Sequence, residues 1–574
     1  MEKIWKIQEP DPKTVHQIRR TLKCSAITAT ILANRNIISS SDISAFFSES
    51  FSDIREPFCL KDMSRAVDRV VRAIQHNEKI VVFGDYDADG ITATVLLYQF
   101  LKDAGALVTP YIPHRINEGY SLQPRHMTDK VFPGRVDLII TVDCGSASHE
   151  AVDLARAQGM DVIITDHHTV AGDLPGAVAV INPKRPDCAS GLKDLAGVGV
   201  AFYLAIAVRK ALRDLGHWDK RPEPNLKQYC DLVALGTVAD VVPLKTENRI
   251  FVKQGLQVIR SGQRSGLNAL INACRLDRDF IDAEDIAFRL VPRLNAAGRL
   301  SHAKIGMSLL TAGDEDSADQ IARDLCHKNH TRQLMEQEMV VDIENYVRDH
   351  PGVMKQPAIV LAHANWHEGI LGIVASRIAD RFFKPVVLLS KKDSISRGSA
   401  RSVPGFDLYG GLALCAEALE QFGGHPMAAG LSIKTDHIPM FRQMFEKVAE
   451  KVMPDGPLKQ TMPVDCELAF DQMTKPFIDE LARLQPFGEE NPEPLFLARE
   501  ARVFHSARVG KDKRHLRLRV GQVREKAVNA IYFNAPGVLD QAGTLDGMVF
   551  HLRWNHYNGK KSPQMVVRHV AAAP

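Results

Sequence analysis

The sequence has no cysteine pairs, no long apolar run and no strong net charge, and each absence removes a class of function. Its nine cysteines are scattered singly from Cys24 to Cys466 with no C-x-x-C pair, which argues against a zinc knuckle or a dithiol redox site. An odd, unpaired set suits a reducing compartment. No stretch approaches the roughly 18 apolar residues of a membrane span. Met1 to Lys13 mixes charge and proline where a secretory signal would carry an apolar core. A cytoplasmic chain with no membrane contact, and a monomer, is therefore expected. The formal net charge of +3 is too small for a global field to hold a polyanion, so any such affinity must come from local clusters of Lys and Arg. There is no internal repeat or low-complexity tract.

What is there is the composition of a folded protein, with 45% hydrophobic and 25% charged residues in 574. That length suits roughly three to five domains. Residues 1–55 read as a polar leading segment with small helices and a Ser-rich turn at Ser39 to Ser41, to which no chemistry is assigned. From about Glu78, short β-branched runs (Ile80 to Phe83, Val108 to Ile112, Leu138 to Val142, Val162 to Thr165, Val178 to Ile181) alternate with amphipathic, helix-length stretches. That rhythm predicts βαβ units around a parallel sheet, in a domain spanning 56–313. Apolar residues three or four apart between Asp314 and His350 predict one long connecting helix, roughly 50 Å if continuous, within 314–355. A second α/β pattern occupies 356–453, with a helix expected over Gly410 to Gln421 followed by a Gly-rich turn. A linker is read at Pro454 to Pro457. Residues 458–574 show short strands, basic residues clustered between Arg499 and Lys526, and aromatics from Phe504 to Tyr557, the pattern of a small β-barrel.

Asp85, Asp87 and Asp89 stand at alternate positions directly after a buried strand and before a helix. Carboxylates so crowded repel one another, and a divalent cation is the economical reason to keep them together. The simpler alternatives are a loop that caps the next helix, or a calcium loop. The preceding strand, and the lack of a Glu at the twelfth position, argue against an EF-hand. Two more strands end the same way, in Asp143-Cys144-Gly145 and in Asp166-His167-His168. In a parallel sheet these ends share one edge, where ligands bind. A lone acid, Asp240, closes the apolar stretch from Leu235; it is either a helix C-terminal residue or a further ligand. Mixed Asp and His donors suit Mn²⁺, with Mg²⁺ usable. Two ions about 3.5 to 4 Å apart would form a device for in-line attack on a phosphodiester.

Asp85-Tyr86-Asp87-Ala88-Asp89-Gly90, Asp143-Cys144-Gly145 and Asp166-His167-His168 occur in the order that characterises the DHH phosphoesterase superfamily, which the sequence resembles. Its DHHA1 companion domain is matched by His363 to Gly369, by Arg397 to Ser402 and by Gly423 to Gly430. With Pro292 to Arg299 before the long helix and Leu484 to Gly488 before the last domain, the arrangement is similar to the single-strand-specific exonucleases of that superfamily over nearly all the chain after residue 55. The fold so implied is α/β: a parallel-sheet DHH domain, a long connecting helix, a smaller α/β DHHA1 domain and a C-terminal OB-fold barrel.

The resemblance also implies roles. Asp87 would bind one ion, Asp89, His167 and Asp240 the second, Asp143 would bridge them, and Asp85 would support the cluster. His168 would touch the scissile phosphate. Where some relatives carry a metal-binding His this chain has Phe83, so Asp85 or water would complete the first site. Arg115, Arg299, Ser399 and Arg401 would grip a terminal 5′-phosphate, with His425 and the glycines around it supplying donors. The implied activity is 5′→3′ exonucleolytic hydrolysis of single-stranded DNA to 5′-mononucleotides with two divalent ions, Mn²⁺ or Mg²⁺. Recombination and repair are the implied setting, beside a RecQ-type helicase and a single-strand-binding protein. The alternatives are a small-substrate phosphodiesterase of the nanoRNase type, which would not need the C-terminal extension, and a catalytically inactive replication scaffold, against which the intact Asp and His set argues.

Overall fold

A computed structural model describes residues 4–129, 132, 135–170, 172–452, 461–510, 512–523, 526–535, 543–557 and 560–572. The strands, in chain order, are β1 (Ile4–Ile7), β2 (Lys79–Gly84), β3 (Leu107–Tyr111), β4 (Leu138–Val142), β5 (Asp161–Thr165), β6 (Ala179–Ile181), β7 (Ile359–His363), β8 (Val386–Ser390), β9 (Ile395–Arg401), β10 (Gln421–His425) and β11 (Ala428–Lys434). Then follow β12 (Thr461–Val464), β13 (Cys466–Glu467), β14 (Phe496–Val509), β15 (His515–Gly521), β16 (Val528–Tyr532), β17 (Thr544–Tyr557) and β18 (Lys560–Ala572).

β2 to β6 form a wholly parallel sheet in the order β3-β2-β4-β5-β6. Both faces are covered, so the central strands are apolar at successive positions instead of alternating with polar residues. Ile80, Val82, Leu138, Ile140 and Ile163 point into the helical core. Val81, Phe83, Ile139, Val162 and Ile164 point into a smaller core on the other face. Phe83 is fully buried against Tyr111 and His126, so it is a core residue.

The connecting helix runs Glu315–Asp349, 35 residues capped by Asp314, whose carboxylate accepts from the Ser317 N–H. Its N-terminal half packs into the first domain's core through Ala318, Ala322 and Leu325. Its C-terminal half packs through Met339, Ile343 and Val347 onto the next domain. That domain has the mixed sheet β10-β11-β9-β8-β7. The helix expected over Gly410 to Gln421 is shorter, Leu408–Ala413. The Gly-rich stretch after it is not a turn but the hairpin β10–β11, with Gly423 opposite Gly430 and Gly424 opposite Ala429. Ladder bonds to a neighbouring strand satisfy this backbone, which a short sequence window cannot show.

In the last domain β14, β15, β16, β18 and β17 close into a five-stranded antiparallel and parallel barrel through the β14–β17 pairing, with β13 alongside. β15 alternates buried Leu516, Leu518 and Val520 with exposed Arg517 and Arg519, the period-two pattern of a half-exposed strand. The linker read at Pro454 to Pro457 lies outside the described residues. The leading segment is integral to this end of the molecule. Its residues Ile18, Ile31, Leu32, Ile43 and Phe46 share the barrel's core, and β1 pairs in parallel with β12. Arg249, fully buried, donates to the carbonyls of Phe46, Leu484, Gln485 and Pro486. It thereby ties the leading segment and the last domain to the first. Among the described residues no helix is long and apolar enough to cross a membrane.

Candidate active site

Each strand of the parallel sheet ends on the same edge, and the polar residues begin where the strands stop. After β2, Asp87 caps the helix Ala88–Asp103, its Oδ1 accepting from the N–H groups of Asp89 (3.0 Å) and Gly90 (3.1 Å). The Asn295 side chain accepts from the Ala88 N–H at 2.8 Å. Asp89 turns the other way. Its carboxylate accepts from Gly197 N (2.7 Å) and Val198 N (2.9 Å) at the start of the helix Gly197–Asp214, where helix amides favour a negative charge. After β4, Asp143 takes φ 62°, a left-handed conformation rare for a residue with a Cβ and characteristic of functional sites. After β5, the Asp166 carboxylate accepts from the N–H groups of His167 (2.7 Å), His168 (3.1 Å) and Ser146 (2.9 Å). Asp240 is the C-cap of the helix Cys230–Ala239, a place that leaves its carboxylate free to face the strand ends.

These side chains converge. Asp85, Asp87 and Asp143 offer ligand atoms within 4.8 Å of one another, as do Asp89, His167 and Asp240, and Asp143, His167 and His168. His167 Nε2 lies 3.2 Å from Asp143 Oδ1, 3.5 Å from Asp240 and 4.0 Å from Asp89. Asp85, Asp89, Asp143 and His167 are buried. Burial and mutual repulsion push the carboxyls of Asp85, Asp89 and Asp143 well above the usual range. Burial, then the charge of Asp87, raises Asp240 to about 7. Burial, with His168 beside it, lowers His167 to about 3, so its ring is neutral and free to ligate. Asp85 Oδ1, Asp143 Oδ1 and His167 Nε2 are buried without a hydrogen-bond partner among the described residues. Orphaned acceptors beside a neutral imidazole are costly in a closed fold. The donor set of oxygen and nitrogen fits divalent metal ions, which relieve both the desolvation and the repulsion.

His168 is set differently. Burial works against its charged form, yet the 2.8 Å bond between Nδ1 and Asp166 Oδ1, with that carboxylate's charge, holds its pKa up at about 9. It stands protonated beside the cluster, a donor aimed near the carboxylates.

A cationic group borders the acidic one. The Arg115 guanidinium lies 4.8 Å from the centre of the Tyr86 ring. Arg299 donates to Gly369 O at 3.1 Å, and Arg401 Nη1 to Ser399 Oγ at 3.1 Å. Burial, then the charges of Arg115 and Arg332, lowers Arg299 to about 9; burial and Arg115 lower Arg401 as well. Arg115 repels both Arg299 and Arg401, and none of the three makes an ion pair among the described residues, so the group could take an anion. Arg299 comes from the first domain and Ser399 and Arg401 from the second, so the pocket exists only where the two meet. His425 is exposed near the tip of the β10–β11 hairpin, and its imidazole makes no hydrogen bond, ring contact or ion pair among the described residues.

The DHH family N-terminal domain matches residues 79–237, the DHHA1 domain 355–451 and the RecJ OB domain 464–569. The single-stranded-DNA-specific exonuclease RecJ of Dickeya dadantii is 39% identical over 525 residues, 89% of this chain and 90% of that protein. The Escherichia coli protein of the same name is 37% identical over 530 residues, again 89% and 90%. The chain belongs to the RecJ family. The crystal structure of RecJ from Thermus thermophilus in complex with Mn²⁺ superposes with a TM-score of 0.82 at 29% identity, covering all of this chain and 80% of that one. The same protein with Mg²⁺ gives 0.76 at 28% identity, covering 100% and 79%. A RecJ-type arrangement thus covers the DHH domain, the DHHA1 domain and the OB barrel.

Three residues of this RecJ-family site escaped the reading of strand ends. Tyr120 places its hydroxyl 3.2 Å from His168 Nδ1. Its loop is pinned by Glu118, which accepts from His114 N–H (2.9 Å) and from the Tyr111 hydroxyl (2.6 Å). Asn182 donates to His168 O and Ser146 Oγ, both at 2.9 Å. The signal was available for Asn182, which follows β6 on the same edge as Asp143 and His167. For Tyr120 and Glu118 only the folded loop shows the contact.

Proposed function

We propose that this chain is a single-strand-specific exodeoxyribonuclease that hydrolyses the phosphodiester nearest a free 5′ end, releasing 5′-mononucleotides with two divalent ions, Mn²⁺ or Mg²⁺. One observation carries the reading: at the sheet edge, buried carboxylate and imidazole atoms without hydrogen-bond partners among the described residues adjoin three arginines that make no ion pair among the described residues. The names of the relatives, single-stranded-DNA-specific exonucleases, and the Mn²⁺ and Mg²⁺ complexes of the Thermus protein support it.

In this reading Asp85 and Asp87 would hold one ion, and Asp89, His167 and Asp240 the second, with Asp143 between the two sets. Divalent ions there would supply an acidified water and polarisation of the phosphoryl oxygens. His168, kept protonated by Asp166, donates to a non-bridging oxygen of the scissile phosphate and offsets the charge that develops on it. Arg115, Arg299, Ser399 and Arg401 grip the terminal phosphate through charge-assisted bonds. Holding that phosphate fixes the scissile bond one nucleotide from the end, which turns a centre able to cut any phosphodiester into a 5′ exonuclease. His425 faces Ala428 across the β10–β11 hairpin, and Ala428 faces Arg401 on β9, so its imidazole would supply a further donor to the strand from the same sheet. The barrel's exposed Arg517 and Arg519, with the exposed Phe533, supply cationic and stacking contacts of the kind single strands use. The setting that follows is cytoplasmic recombination and repair, as a monomer, beside a RecQ-type helicase and a single-strand-binding protein.

The test uses single strands labelled at either end, a blunt duplex, a 5′-blocked strand and a dinucleotide, each with Mn²⁺ or EDTA. Mononucleotides released only from free 5′ ends, and only with metal, are expected. Cleavage confined to the dinucleotide, or binding without cleavage, overturns the proposal.

A further inference from the structure

The carboxyl edge of the parallel sheet carries one cation that the roles above leave unused. β6 ends at Ile181 and the chain continues Asn182-Pro183-Lys184-Arg185. The segment is rigidly held. Asn182 is buried, donates to His168 O and Ser146 Oγ, and accepts from the Lys184 N–H at 2.8 Å. Arg185 turns away and is neutralised, donating to Asp62 at 2.7 Å and to both oxygens of Asp187 at 2.6 and 2.9 Å. Lys184 is half-buried, and its ammonium makes no ion pair or hydrogen bond among the described residues. Its charge is felt at both His167 and Asp240, lowering the pKa of each.

The strand order gives this position a meaning. Along the edge β3-β2-β4-β5-β6 come Arg115 after β3, Asp85 to Asp89 after β2, Asp143 after β4, His167 and His168 after β5, and Lys184 after β6. The arginine pocket adjoins the β2 end, since Arg115 acts on Asp85 and Arg299 feels Asp87. Lys184 stands at the opposite end, beyond His167 and Asp240. With neighbouring strands about 4.8 Å apart, β6 lies about 10 Å from β4, a gap that one nucleotide and its flanking phosphates can span.

We infer that Lys184 binds the phosphate on the 3′ side of the scissile one, so that the substrate runs across the sheet edge with its 5′ end over β3 and its continuing chain over β6. The inference rests on the exonuclease reading above and adds the strand's polarity on the fold. Lys184 is a binding and positioning group, compact and strongly hydrated, suited to a single phosphate contact. Its neighbours have their own partners, so its replacement leaves the fold intact.

The test pairs a chain variant with a substrate variant. The full-length protein and Lys184→Gln are compared on a 5′-phosphorylated single strand whose second internucleotide linkage is either native or a neutral methylphosphonate. In the unsubstituted protein the neutral linkage should raise KM about 10-fold, one phosphate contact's worth. In Lys184→Gln the KM on native DNA should already be raised by a similar factor, and the neutral linkage should add little. Lys184→Arg should restore most of the binding. Without metal, in EDTA, anisotropy should show the slope of log Kd against log salt reduced by about 0.7 in Lys184→Gln. Equal sensitivity to the neutral linkage in both proteins, or an unchanged salt slope, overturns the inference. Failure of the unsubstituted protein to release 5′-mononucleotides at all would instead overturn the exonuclease reading, so the two failures are distinct.

Discussion

Asp143 Oδ1 and His167 Nε2 stand 3.2 Å apart, both buried, and neither has a hydrogen-bond partner among the described residues. A neutral imidazole beside a carboxyl whose ionised form is penalised by burial and by Asp89 is an arrangement that destabilises the empty fold and favours a bound cation. Replacing Asp143 with Asn removes the buried charge while keeping the shape. In EDTA, Asp143→Asn should unfold at a higher temperature than the unsubstituted protein. Mn²⁺ should raise the Tm of the unsubstituted protein by mass action but leave the variant nearly unchanged, and turnover should fall by about 10³-fold or more. Differential scanning fluorimetry with and without Mn²⁺, beside a nuclease assay, checks this. A variant that cleaves normally would refute the two-ion assignment.

The Tyr120 hydroxyl oxygen accepts from the imidazolium that Asp166 holds protonated. Tyr120→Phe removes that contact without changing the ring's packing near Tyr86. The expected result is a kcat about 10-fold lower with KM little changed, the signature of an interaction that matters after binding. A rise in KM alone would mean that the hydroxyl serves the strand and not His168.

Arg401 donates to Ser399 and is half-buried beside Arg115. Arg401→Gln should raise KM for a 5′-phosphorylated strand about 10- to 100-fold, the worth of a charge-assisted phosphate contact. A 5′-hydroxyl strand should be nearly unaffected. Equal losses on both substrates would remove Arg401 from the terminal-phosphate pocket.

Away from the chemistry, Glu493 lies at the joint between the first domain and the barrel, near Arg553, which also pairs with Glu284. Burial raises Glu493 from 4.5 to about 7. Because the folded pKa exceeds the unfolded one, its contribution is fully present below about 4.5 and is lost as pH rises through 7. Glu493→Gln cannot ionise, so its Tm should gain on the unsubstituted protein between pH 5.5 and pH 8, with the difference smallest at the acid end. His551, lowered by burial to about 4, works in the opposite direction below its ordinary value; its Nδ1 lies 3.8 Å from Glu493, so the gain is read at the alkaline end, where the imidazole is neutral in both proteins. A Tm difference independent of pH would show that Glu493 is not the titrating group.

Much of the architecture could be read from periodicity because the responsible interactions are local. Successive apolar residues marked the doubly covered strands, three-and-four spacing marked the helix 315–349, and acids directly after strands marked the sheet edge. The Gly423 to Gly430 stretch misled because Gly423 and Gly424 pair with β11, a partner whose geometry no short window contains. The leading segment was silent for a similar reason. Ile18, Ile31 and Phe46 meet their core partners more than 400 residues away in the chain.

The sequence alone determined which residues could do metal chemistry, since three carboxylates at alternate positions repel one another wherever the chain carries them, and strand-end placement in a parallel sheet follows from connectivity. Tertiary structure decided which charges are left unmatched. Arg185 and Lys184 are adjacent cations in the sequence, yet folding gives Arg185 two carboxylates and Lys184 none. Arg299 and Arg401, 102 positions apart, both feel the charge of Arg115 only because folding brings their two domains together. Burial and partner supply are properties of the assembled core, and they separate a catalytic Asp or Arg from one that merely caps a helix.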